Sequence, residues 1–474
     1  MVVSGASALA VLATGCSSST PGNGVPAASG PRTTASSTGS GSSAPGDSGR
    51  DPCPRAYAEP DPNRPQITLT FDVSEDLGTV TGTEQVRFTP DMPVHELVFR
   101  LTANGTTAYP QGNSITITQA TADPAGDHFR FERAGAASGS QGGILVVPLG
   151  REVPAGQQVT ANLSFTLKLS DSGFERFGRD RRLAWFGSGQ PLFAWERGVG
   201  WHREALARWV GESATSEAAN IDLTVTAPGF ATVLTSGVQD APADAGGGRR
   251  RWHAVAATAR DVSVSLGDLE TTTQSAGGTK ITLGSPRGMD RGQTMRLLTR
   301  AVTELSARFG PFPFPALNVT LLPKNGGGIE YPGSILLFGS DQLVDTHETA
   351  HQWFYGMVGD AQSRDPWLDE AFASYAEQLV NDDGEGNGRP LGGQVGEGIN
   401  DFPDAGAYYG TVYGEGSAAL HQARAAAGAA KFDAALRCYI NANAWRIARP
   451  QDVATALAAL PAALQVLRKA GAVK

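Results

Sequence analysis

The chain has 474 residues, enough for two or three domains and a sizeable core. Lys and Arg number 38 against 47 Asp and Glu, a net charge of -9 without any basic run, which argues against nucleic acid as a partner. Apolar residues make up 40% and charged residues 18%, and no internal apolar stretch is long enough for a membrane-spanning helix.

Residues 1–15 (MVVSGASALAVLATG) are small and apolar and lead to Cys16. Such a segment resembles a secretion signal, and LATGC resembles a bacterial lipoprotein signal whose cysteine is lipidated. Two features depart from that pattern: there is no basic n-region, and Ala13 stands where Leu is preferred. Residues 17–52 are almost wholly Ser, Gly, Pro, Thr and Ala, too poor in apolar groups to fold, and read as a linker. The expectation is an exported protein, held at the outer face of the cell membrane by a lipid on Cys16 or else secreted. Of the three cysteines, Cys53 and Cys438 then remain as an even pair that an oxidising compartment could join; the sequence does not place them near each other.

From Gln66 the pattern has period two. ITLTFDV, TGTEQVRFTP, ELVFRLT, SITITQA, HFRFERA, ILVVPL, TANLSFTLKLS, IDLTVTA, ATVLTSG, RWHAVAA and VSVSL alternate apolar and polar residues between turn signals. This predicts an antiparallel β-rich domain over 53–268, with the aromatic stretch WFGSGQPLFAWERGVGWH as a structured loop. After about residue 285 the period changes. DRGQTMRLLTRAVTELSARFG sets Met295, Leu298, Val302 and Leu305 at helical spacing, and ALNVTLLP and SILLF read as strands. Helices are predicted over 341–357, 366–381, 413–428, 431–442 and 450–460, the second with Asp365 as N-cap and Pro366 at its first position. Residues 269–474 thus read as a mixed α/β domain that becomes mostly helical.

Within the first of those helices lies THETAHQWFYG. His347 and His351 are four residues apart, so they share a helix face and can direct imidazole nitrogens at one ion. Glu348, next to His347, stands beside such an ion, where it can take a proton from an attacking water. A zinc site open for catalysis needs a third protein ligand. Glu370, nineteen residues after His351 in WLDEAFASYAE, opens the next predicted helix and can reach the ion if the two helices pack antiparallel. Glu377, seven residues further, shares its face; it is either a solvated charge or a hydrogen-bond partner for a ligand histidine. The other histidines, 95, 128, 202, 253 and 421, show no ligand spacing.

HETAHQWF followed by WLDEAFASYAE resembles the HExxH-x18-E block of the gluzincin aminopeptidases of the aminopeptidase N type. GGIEYPG (327–333) resembles that family's G-x-M-E-N motif, and TVYGEGSAAL resembles the segment carrying its catalytic tyrosine. The likeness covers about residues 54–470. It implies a saddle-like antiparallel β domain followed by a thermolysin-like catalytic domain, a single zinc ion and peptide substrates. His347, His351 and Glu370 would be the metal ligands, Glu348 the general base, and Tyr413 the donor to the charge that develops on the attacked carbonyl. Glu330 would grip the substrate's α-amino group, with Gly327 and Gly328 letting the backbone come close to the substrate. Three departures stand out. Ile329 and Tyr331 replace the motif's Met and Asn, which line the family's first specificity pocket; Glu415 replaces the Lys after the catalytic tyrosine; and no C-terminal helical domain follows, so a more open cleft is expected. The competing readings are a zinc endopeptidase, which has no use for Glu330 as an amine anchor, and a non-catalytic binding module on the same fold.

Overall fold

A computed structural model describes residues 53–171, 175–323, 326–382 and 388–474. The signal-like segment, Cys16 and the linker lie outside the described residues.

Alternation becomes sheet because one side of each strand must be buried. Gln66–Val73 hides Ile67, Leu69, Phe71 and Val73 and turns Thr68 and Asp72 outward. It pairs antiparallel with Thr79–Phe88 and parallel with Ala219–Pro228, at the centre of an eight-stranded sheet. The aromatic stretch predicted as a loop contains strand instead. Leu183–Gly187 is a full member of a four-stranded sheet, and Leu192–Phe193, Trp195–Glu196 and Gly200–Trp201 form short strands. All five residues of Leu183–Gly187 are buried, so the strand has no polar face and no alternation to detect. A large apolar cluster containing Leu69, Phe71, Phe88 and Phe165 fills much of this part of the molecule.

Beyond Gly267 the chain enters a second, five-stranded sheet. It runs Leu269–Ala276, Thr279–Pro286, Ala316–Leu321, Ser334–Leu337 and Gly328–Tyr331 in spatial order, with parallel pairing in the middle. Helix α1 (Arg291–Phe309) buries Met295, Leu298, Val302 and Leu305, as its spacing requires. The α-helices that follow among the described residues are α2 (Gln342–Ala350), α3 (Glu370–Asn381), α4 (Ala405–Tyr408), α5 (Gly416–Ala427), α6 (Ala429–Asn443), α7 (Pro450–Ala456) and α8 (Pro461–Lys469). They share a second large core around Leu298, Trp353, Phe372 and Tyr439.

Several predicted helix limits are corrected. α2 ends at Ala350, not 357: after His351 the backbone bonds widen, with Gly356 N donating to His351 O at 2.8 Å, and Tyr355 takes a positive φ of 90°. Asp365 does not cap the next helix. Its carboxylate pairs with Arg364 at 2.8 Å, Pro366–Leu368 forms one 3-10 turn, and α3 starts only at Glu370. The predicted 413–428 helix begins as a π-wound turn over Tyr409–Glu415. The 450–460 helix stops at Ala456, and α8, with Pro461 at its start, escaped the sequence reading.

Cys53 and Cys438 form a disulfide, joining the start of the described chain to α6. The strap that follows is fastened further: Ala58 N donates to Asn441 O at 2.8 Å, and Trp353 Nε1 donates to Tyr57 Oη at 3.1 Å. Among the described residues no helix is long and apolar enough to cross a membrane.

Candidate metal centre

The Asp341 carboxylate starts α2 by accepting from the amides of Leu343 and Val344, both at 2.9 Å. One helical repeat then puts His347 and His351 side by side, ring centroids 4.7 Å apart. Glu370, the first residue of α3, is delivered between them. Its Oε2 lies 3.2 Å from His347 Nε2 and 3.5 Å from His351 Nε2. The ligand atoms of these three residues all fall within 4.8 Å of one another.

Glu348 is buried at 6% exposure, and its Oε2 has no hydrogen-bond partner. Gly328 makes room for it, since a Cβ there would sit 2.4 Å from Glu348 Cγ. The close approach at Gly328 is therefore to Glu348, while Gly327 has open space around its α-carbon. Glu330, 3% exposed on the strand Gly328–Tyr331, brings a carboxylate oxygen within 4.8 Å of ligand atoms of Glu348 and His351. Tyr413, half-buried, stacks on His347 with ring centroids 5.7 Å apart and planes 9° apart. Ile329 and Tyr331 are buried in a cluster with Trp185 and Phe338. Glu377 is half-buried on α3.

The structure adds residues the sequence did not single out. His351 Nδ1 donates to Asp369 Oδ1 at 2.6 Å, so Asp369 is the carboxylate behind that ring. Gln362 Nε2 donates to Asp369 Oδ2 at 3.2 Å and to Glu330 Oε1 at 3.1 Å. Arg176, 4% exposed, donates from Nη2 to the same Glu330 oxygen at 3.3 Å. Tyr408 Oη donates to Glu212 Oε2 at 2.9 Å. Asp369 has one signal in sequence, its place beside Glu370; Arg176, 154 positions from Glu330, has none.

Burial pushes the Glu348 carboxyl well above the ordinary range. Burial lowers His347. It opposes protonation of His351 as well, but Asp369 and Glu370 outweigh it and hold that imidazole high. Tyr413 is raised by burial and then by Glu212 and Glu370, so its hydroxyl keeps its proton and can donate.

No protein-family model matches the chain. Part of it is similar to aminopeptidase N of Mus musculus, 36% identical over 88 residues, covering 15% of this chain and 9% of that protein. A similar stretch matches endoplasmic reticulum aminopeptidase 2 of Bos taurus, 36% identical over 85 residues, 14% of this chain and 9% of that one. Each match thus spans under a tenth of the curated relative. The fold extends much further. An M1 zinc metallopeptidase from Deinococcus radiodurans superimposes with a TM-score of 0.62 over 89% of this chain and 96% of its own, at 20% identity. A mutant of it bound to the substrate Tyr-Ser-Ala gives 0.61 over 86% and 94%, at 20%. A two-domain M1 zinc metallopeptidase mutant bound to L-arginine gives 0.63 over 86% and 93%, at 21%. The resemblance read from the motifs is borne out, and the chain has the mixed β and α fold of the M1 zinc metallopeptidases.

Proposed function

We propose that the protein is a zinc-dependent aminopeptidase that removes N-terminal residues from peptides. One observation carries the reading: two imidazoles and a carboxylate converge within 4.8 Å, and two further buried carboxyls, Glu348 and Glu330, group with His351 within the same distance. Two nitrogens and one oxygen are a donor set that suits zinc with a position left open, and the unpartnered Glu348 oxygen fits a group waiting for a water.

His347, His351 and Glu370 would hold the ion, with Asp369 fixing the His351 tautomer so that Nε2 faces inward. Bound zinc supplies Lewis acidity toward the scissile carbonyl and a more acidic water. Glu348 takes the proton of the attacking water and returns it to the leaving amine. Tyr413 donates to the negative charge growing on the carbonyl oxygen. Glu330 pairs with the substrate's α-ammonium, which sets the cut after the first residue. The solved neighbours crystallised with an amino acid or a tripeptide support small peptidic ligands.

Residues 269–474 would be the thermolysin-like catalytic domain and 53–268 the saddle-like one. Export is the compartment in which the Cys53–Cys438 disulfide persists, consistent with a leader in residues 1–16 and lipid on Cys16.

The zinc-loaded protein without residues 1–52 should release the fluorophore from unblocked aminoacyl-coumarin amides and not from their acetylated forms, with Glu348→Gln as the control for contaminating peptidase. Equal activity on blocked substrates would remove Glu330 from its role and leave a zinc endopeptidase. Inactivity on both, and on longer peptides, would leave a binding module.

A further inference from the structure

Glu330 is not alone in its pocket. Arg176 and Gln362 both donate to its Oε1, at 3.3 and 3.1 Å. Gln362 cannot turn away, because its own Oε1 accepts from the Ala214 amide at 3.0 Å, which keeps the NH2 end facing the carboxylates. Arg176 is equally constrained: its guanidinium lies over the Tyr331 ring, 5.4 Å from the centroid, and is buried with it. Its Nη1 is buried with no partner.

A buried ion pair is a poor stability device, since desolvating both charges offsets most of their attraction. An incompletely bonded guanidinium is poorer still. What the arrangement does provide is geometry, because a charged donor and an amide donor converging on one oxygen hold that oxygen in place.

We infer that Arg176 is a positioning residue for the amine anchor: it pins Glu330 Oε1 and keeps the carboxylate turned so that Oε2 meets the substrate's ammonium beside the metal group. This rests on the aminopeptidase reading of Glu330. Through Gln362, Asp369 and His351 the same chain of hydrogen bonds links the anchor to the metal-facing imidazole. Substrate end and metal are thereby held in one rigid frame.

The test is steady-state kinetics of zinc-loaded wild type, Arg176→Gln, Arg176→Lys, Glu330→Gln and the double Arg176→Gln/Glu330→Gln variant on unblocked and acetylated substrates. Arg176→Gln should raise KM for unblocked substrates by about 10-fold or more, as loss of an orienting partner does, with kcat within a few-fold. Lys, a cation without the fork, should recover part of that. In the Glu330→Gln background Arg176→Gln should change nothing further. The double variant leaves no unpaired buried carboxylate, so it reports even if the single variant fails to fold. A fall in kcat at constant KM, or an additional loss in the double variant, would overturn the inference. A wild type indifferent to acetylation would overturn the anchor itself, and with it the role of Arg176; a selective wild type with an unaffected Arg176→Gln variant would sink only the latter.

Discussion

Two buried glutamates in this chain carry the same electrostatic signature and sit in opposite surroundings. Glu348 and Glu84 are 6% and 2% exposed, each has an oxygen without a partner, and burial drives both carboxyls well above the ordinary range. Glu348 shares its pocket with His351, Glu370 and Glu330. Glu84 lies in the eight-stranded sheet between Leu69 and Leu163, beside a cavity lined also by Gln190, Glu217 and Arg260. A displaced carboxyl pKa is therefore no mark of catalysis by itself; the neighbours decide whether the stored cost serves a reaction.

That contrast predicts opposite responses to neutralising the two groups. The largest effect belongs to Glu348→Gln, which keeps the shape and removes the proposed base. Its kcat should fall by about 10²–10⁴-fold, with zinc content and melting temperature held or raised. A melting temperature that collapses would show that Glu348 holds the fold and reduce it to a second Glu84. Next comes Tyr413→Phe. Its ring stack on His347 would persist while the hydroxyl is lost, so kcat should drop about 100-fold at near-constant KM and stability. An unchanged kcat would make Tyr413 a packing residue.

The candidate metal group was legible in the sequence because its residues are local. His347 and His351 lie on one helix turn, and Glu370 opens the next helix, so spacing suffices. The alternating strands were legible for the same reason, each recording its own buried face. What stayed hidden depends on tertiary neighbours. Leu183–Gly187 lost its alternation by being buried on both sides. Asp365 looked like a cap until Arg364 claimed its carboxylate. Arg176 reaches Glu330 only because two sheets meet there. Glu84 is an intermediate case: in TVTGTEQVRF it has the inward parity of Val80 and Val86, so its burial could be read, but its lack of partners could not.

The smallest predicted effect is the one that completes the contrast. Glu84→Val puts an apolar residue opposite Leu69 and Leu163 and removes two orphan oxygens. It should stabilise the protein by about 1–3 kcal/mol near neutral pH, the usual cost of an unsatisfied buried polar group, and leave peptidase kinetics unchanged. The sign of the pH dependence follows from the raised carboxyl. Glu84 binds its proton more tightly folded than unfolded. Its contribution is fully present below the unfolded pKa, about 4.3, and is lost as pH rises toward the folded value. The advantage of the valine variant over wild type should therefore be small at pH 4.5 and grow toward pH 8. Glu217, held up at about 8 by burial, adds a slope of the same sign to both proteins and cancels in the difference. Melting curves of the pair across that range decide it. A constant difference would mean that Glu84 titrates alike in both states and that its cavity supplies what the two oxygens lack.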